Sequence, residues 1–160
     1  MNNTVIYPGT FDPVTYGHLD VIKRVSSLYG KVFVSVAASA DKKPLFSLEE
    51  RIAMLEEATA GLGNVEVEGF EGLVVEHAAR KGARVVVRGI RMISDFEYEF
   101  QMALTNRKVK PEIETVFMMP NETYSYLSSK LIKELAGLGA DISKFVPANV
   151  EKKLKERSGK

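Results

Sequence analysis

Short β-branched runs that alternate with stretches of helical spacing set the tightest limit on how this chain can fold. The runs are Thr4-Val5-Ile6-Tyr7, Lys31-Val32-Phe33-Val34-Ser35-Val36-Ala37, Val65-Glu66-Val67, Arg84-Val85-Val86-Val87-Arg88 and residues 114–119. Apolar runs bounded by turn residues suit strands buried on both faces. Between them, Val21, Ile22, Val25, Leu28 and Tyr29 share one helical face. Ser47-Leu48-Glu49-Glu50 forms a capping box and opens a helix carrying Ile52, Leu55 and Ala58. Further helices are predicted over 73–81, 94–108 and 128–138.

Alternation of this kind predicts an α/β fold with right-handed crossovers. The expectation is a single Rossmann-like domain over residues 1–160, with a five-stranded parallel sheet and helices on both faces. A chain of 160 residues fits one domain, and 45% hydrophobic residues suffice for one core. No internal repeat, low-complexity tract or Pro/Gly-rich linker interrupts it. The charge-rich stretch 151–160 is expected to be a solvated, fraying helix end.

Composition excludes several classes. Without cysteine there is no disulfide, thiolate metal site or cysteine nucleophile. A net charge of +1 lacks the basic excess of a strongly cationic nucleic-acid binder. The first residues read as a strand and not as a signal peptide, and no apolar run is long enough to span a bilayer. A cytoplasmic protein is expected, with no nucleic-acid or membrane partner.

Ligands of open parallel sheets bind at the carboxyl ends of the strands. After the first run comes Pro8-Gly9-Thr10-Phe11-Asp12-Pro13-Val14-Thr15-Tyr16-Gly17-His18. Gly9 and Gly17 permit close backbone approach. His18 falls at a helix N-terminus, where free N–H groups and the dipole favour phosphate. The plainer alternative makes Asp12 and Thr15 caps and His18 a surface residue. After the second run, Lys42 and Lys43 could be solvated charge. After the fourth, Arg88-Gly89-Ile90-Arg91 places a phosphate-gripping fork at a strand end. The alternative is an ion pair with Asp95, Glu97 or Glu99. After the fifth, Ser128 and Ser129 can cap a helix and hold anions there.

Thr15-Tyr16-Gly17-His18 fits a T/H-x-G-H signature, and Tyr7-Pro8-Gly9-Thr10-Phe11-Asp12-Pro13 sharpens the match. From Ile6 to at least Phe145 the chain resembles the bacterial phosphopantetheine adenylyltransferases of the nucleotidylyltransferase superfamily. The dinucleotide fingerprint G-x-G-x-x-G does not occur. The resemblance implies transfer of the adenylyl group of ATP to 4′-phosphopantetheine, giving dephospho-coenzyme A and pyrophosphate. It implies catalytic roles for Thr10, His18, Lys42 and Arg91, and an acceptor site at Thr10, Lys42, Val74 and Arg88. It places ATP on Thr10, Phe11, His18, Gly89, Ile90, Arg91, Glu99, Tyr124, Ser125, Tyr126, Leu127, Ser128, Ser129 and Lys130. Residues 127–130 depart from the family's I-S-S-S/T element, with Leu127 and Lys130 at its first and last positions. Mg²⁺ is expected to arrive with ATP, without a protein-built metal cage, and coenzyme A is a candidate feedback ligand.

Two rival functions remain open. One is another transferase of the superfamily, acting on nicotinamide mononucleotide or a sugar or glycerol phosphate. The other is a nucleotide-sensing module without catalysis; an RNA-linked domain is disfavoured by short length and balanced charge. Finally, Phe96, Tyr98, Phe100, Met102, Ala103 and Leu104 exceed one narrow helical stripe. The excess predicts a homo-oligomer, and the resemblance implies a hexamer.

Overall fold

The computed structural model describes residues 3–38 and 43–159. Its elements in chain order are β1 (Thr4–Gly9), α1 (Tyr16–Leu28), β2 (Lys31–Ala37), α2 (Leu48–Thr59), β3 (Val65–Phe70) and α3 (Val74–Arg80). Then come β4 (Val85–Gly89), α4 (Ile93–Val109), β5 (Glu114–Met118), α5 (Ser129–Gly137) and α6 (Ala148–Ser158), with a 3-10 turn at Glu122–Tyr124.

The five strands pair in the order β3-β2-β1-β4-β5, and every pairing is parallel. Period-two alternation explains the two helical layers. Val5 and Tyr7 of β1 join the core formed with α1, α2, α5 and α6. Ile6, between them, joins Val75 and Ala78 of α3 on the opposite face. Val87 and Val86 of β4 divide in the same way. The expected sheet with helices on both faces is therefore present.

Three local expectations differ. Strand β3 runs on to Phe70, beyond Val67. It is an edge strand in which Glu66 and Glu68 alternate with valines, so an apolar run ends before the strand does. Leu28 is 63% exposed and off the buried face of α1, whose helix closes before Tyr29. The charged tail is not a loose end. Val150 and Leu154 of α6 are buried one helical turn apart, and Arg157 donates to Glu50 of α2 at 2.6 Å. The many lysines around that apolar pair conceal it in the sequence.

Strand order reverses between β1 and β4, where the chain returns from β3 to the other side of β1. A crevice opens beyond the carboxyl ends at such a switch point. The segments leaving β1 and β4 flank it.

Candidate active site

Two clefts meet there. The first, about 180 Å³, lies among the β1 and β4 ends, α1 and the α5 entry; Thr10, Phe11, His18, Arg88, Gly89, Arg91, Glu99 and Leu127 line it. The second, about 220 Å³, runs between α3 and α4; Ala37, Phe70, Val74, Tyr98, Met102 and Asn106 line it. Pro8, Gly9, Thr10, Arg88 and Glu99 border both.

The loop after β1 owes its shape to close packing. The Phe11 ring lies over Gly9, where a Cβ would stand 2.9 Å from it. Phe11 itself has φ +50°, in the left-handed region uncommon for a side-chain-bearing residue. Its ring then braces that of His18 edge-on, at 5.0 Å between centroids and 72°.

Thr15 is the N-cap of α1, as its position in the sequence suggested. His18 completes a reciprocal capping box. Its backbone N–H donates to Thr15 Oγ1 at 3.4 Å, and its Nδ1 accepts the Thr15 backbone N–H at 3.0 Å. An amide can only donate, so Nδ1 carries no proton and the neutral ring holds its hydrogen on Nε2. Burial, helped by the charges of Arg91 and Arg88, pushes the His18 pKa down to about 3. His18 is therefore a neutral hydrogen-bond donor at the cleft.

Arg88, near the end of β4, is held rigidly. Its Nε donates to Glu99 Oε2 at 2.8 Å, its Nη2 to Glu99 Oε1, and its Nη1 to the Pro8 carbonyl at 2.9 Å. Burial opposes the charge, but the Glu99 carboxylate outweighs it and holds the Arg88 pKa above its ordinary value. Three of the five guanidinium hydrogens are used, which leaves one on each terminal nitrogen for a phosphate. Of the three carboxylates open to Arg88 in the sequence, the fold selects Glu99. Glu99 thus fixes Arg88 while bordering both clefts. Arg91 faces Asp95 at 3.5 Å and donates to the Leu127 carbonyl at 2.6 Å, which joins the β4 exit to the α5 entry.

The other expected residues separate. Val74, the first residue of α3, lines the second cleft with Thr10 and Arg88. Lys42 lies outside the described residues. Ile90 and Ser125 line a neighbouring apolar groove with Met92, Ile93 and Phe96. Tyr124 packs on Tyr16, and Tyr126 lies edge-on to Phe145. Ser128 is the N-cap of α5, as expected, and accepts the Leu131 N–H at 3.0 Å. Ser129 donates to the Pro13 carbonyl at 2.7 Å, while Lys130 is exposed.

Two residues behind the site escaped the sequence reading. Asp12 is no helix cap: its carboxylate accepts the amides of Leu45 and Phe46, both at 2.9 Å, and the Lys133 ammonium at 2.7 Å. Burial raises its pKa, but Lys133 and the two amides together hold it below the usual value. Arg51 is buried in α2 on the stripe that carries Leu55. A cation on an apolar stripe was the available signal. Tyr7, which also lines the first cleft, is pushed up to about 12 by burial, against the pull of Arg88 and Arg91, and stays protonated.

The switch point of the parallel sheet thus carries a capped T-x-G-H turn and two cleft-lining arginines, groups suited to holding phosphate. Residues 6–135 match the cytidylyltransferase-like family. A solved Vibrio parahaemolyticus protein, proposed to be a nicotinate-nucleotide adenylyltransferase, shares the fold: TM-score 0.70 at 18% identity, covering 98% of this chain and 93% of that one. The chain is 53% identical over 152 residues to phosphopantetheine adenylyltransferase of Caldanaerobacter subterraneus subsp. tengcongensis, covering 95% of each. It is 52% identical over 153 residues to that of Alkaliphilus metalliredigens, covering 96% of this chain and 98% of the relative. The chain belongs to the phosphopantetheine adenylyltransferase family.

Proposed function

We infer that this chain transfers the adenylyl group of ATP to 4′-phosphopantetheine, yielding dephospho-coenzyme A and pyrophosphate. The observation that carries the reading is the pair of clefts joined at Thr10 and Arg88. One suits a nucleotide and is lined by His18 and Arg91. The other, lined largely by apolar groups, suits an extended acceptor whose phosphate reaches Arg88.

A non-bridging oxygen of the acceptor phosphate attacks the α-phosphorus of ATP. The bond from that phosphorus to the oxygen bridging the β-phosphorus breaks, and pyrophosphate departs. A phosphate is already nucleophilic at neutral pH, so neither a general base nor a covalent enzyme intermediate is required. Catalysis reduces to alignment and to stabilising charge on the transferring group. Thr10 orients the attacking phosphate at the shared lip. The Nε2–H of neutral His18 donates to the α-phosphate as charge builds. Arg88, fixed by Glu99, grips the acceptor phosphate with Lys42, and Arg91 steadies the nucleotide.

Among the described residues no group of three His, Asp or Glu side chains could hold a metal ion. In this reading Mg²⁺ arrives with ATP as part of the substrate complex. No helix among the described residues is long and apolar enough to cross a membrane, and the reading places the protein in the cytoplasm. It also includes self-association. Glu99 is the one buried residue of α4, while Ile93, Phe96, Phe100 and Leu104 are exposed. A second copy of this chain covers that face, with a hexamer as the expected assembly.

Pyrophosphate release tests the reaction. ATP with 4′-phosphopantetheine should give sustained release and dephospho-coenzyme A. Release with nicotinamide mononucleotide or glycerol phosphate, and none with 4′-phosphopantetheine, would overturn the assignment.

A further inference from the structure

Arg51 is 1% exposed, and its partners are backbone carbonyls from three segments. Its Nε reaches Phe46 at 3.2 Å and Ser47 at 3.3 Å, at the entrance to α2. Its Nη1 reaches Thr10 at 2.8 Å and Ala37 at 2.9 Å. Those two carbonyls stand at the ends of the paired strands β1 and β2, and both residues border the second cleft. Burying a guanidinium is expensive, and an apolar side chain would fill the same stripe at lower cost. What the guanidinium adds is a planar fork that holds several carbonyls at fixed angles, which an ammonium cannot reproduce. Asp12 binds the same region from the other side through Leu45, Phe46 and Lys133.

We infer that Arg51 is a positioning residue for adenylyl transfer: by tying the Thr10 carbonyl to that of Ala37, it holds the acceptor phosphate in line with the α-phosphorus of ATP. The inference rests on the proposed reaction. Arg51 lines neither cleft and acts through the backbone of Thr10. Loss of alignment on the scale of an ångström costs about 10²-fold in rate.

The test is R51K, which keeps the charge and loses the fork. Wild type is assayed first. If it releases no pyrophosphate with 4′-phosphopantetheine, the proposed reaction fails and takes the role of Arg51 with it. If wild type turns over, the expected R51K protein melts cooperatively and binds ATP at full stoichiometry with Kd within about twofold. Its kcat should fall about 10²-fold and its acceptor KM should rise. A purely structural role would lower Tm and the active fraction and leave kcat per ATP-binding site alone. Folded R51K with both constants near wild type overturns the inference. Should R51K not fold, wild type labelled with ¹⁵N-arginine replaces it. The solvent-protected guanidinium resonance should shift on saturation with 4′-phosphopantetheine, and an unmoved resonance overturns the inference equally.

Discussion

The Thr15 backbone N–H and the Nδ1 of His18, 3.0 Å apart, decide which imidazole nitrogen carries the proton. With the pKa down to about 3, the ring stays neutral where an ordinary histidine would titrate. In ¹H–¹⁵N spectra His18 should show a protonated Nε2 and no titration from about pH 5 to about pH 8. A midpoint near 6.5 would contradict this. The stability consequence has a definite sign. The unfolded chain binds the proton near 6.5 and the folded chain only near 3, so the contribution is complete above 6.5 and lost as pH falls toward 3.

In the proposed reaction, replacing His18 by Ala removes one donor to the transferring phosphate. The kcat should drop about 10²–10³-fold, while ATP affinity changes little. Single-turnover kinetics beside ATP titration separates the two. Near-normal kcat would remove His18 from the mechanism.

The Arg88–Glu99 pair should respond asymmetrically. Arg88→Ala leaves a buried carboxylate without its cation and, in the proposed reaction, removes the acceptor grip. Breaking a buried pair costs about 3–5 kcal/mol, and here less, because the Arg88 side chain is 32% exposed. Glu99→Gln keeps the shape but frees the fork, so acceptor KM should rise more than ATP KM. Calorimetric titration with 4′-phosphopantetheine checks both, and Lys42→Ala in parallel. Unchanged acceptor affinity in Arg88→Ala and Lys42→Ala would mean that the acceptor phosphate sits elsewhere.

Asp12 should govern acid stability. Its folded pKa lies below 3.8, so its contribution is present above that value and lost as pH falls through the folded pKa. Asp12→Asn should be less stable at neutral pH by about 1–3 kcal/mol, having lost acceptors for buried donors. Its stability should also fall less steeply than that of wild type below about pH 4. Urea unfolding at neutral and acid pH measures both, and parallel curves would refute the role.

The exposed face of α4 should be covered in solution. Phe96 and Phe100 stack at 5.5 Å between centroids, and Ile93 is 92% exposed. Contiguous apolar surface of this kind marks an interface. Light scattering should give a multiple of 17.8 kDa at micromolar concentration, and Phe96→Glu with Phe100→Glu should reduce it. A single-chain mass for wild type would defeat the prediction.

The features legible in the sequence are those whose partners lie within a helical turn or along one strand. Ser47 and Glu50 cap α2 across three residues, Thr15 caps α1, and the valine runs declare their strands. Spacing alone carries that information, because helix and strand periods bring those side chains together wherever the element sits. The resemblance of the T-x-G-H turn led to the expectation of a nucleotide there. It did not supply the rest of the geometry. Arg88 had three acidic candidates until the placing of β4 beside β1 brought α4 across and selected Glu99. Arg51 reaches Thr10 across 41 residues, and Asp12 reaches Lys133 across 121. Those contacts exist only once strand order and helix packing have set the segments side by side, so tertiary structure alone decided which buried charges brace the site.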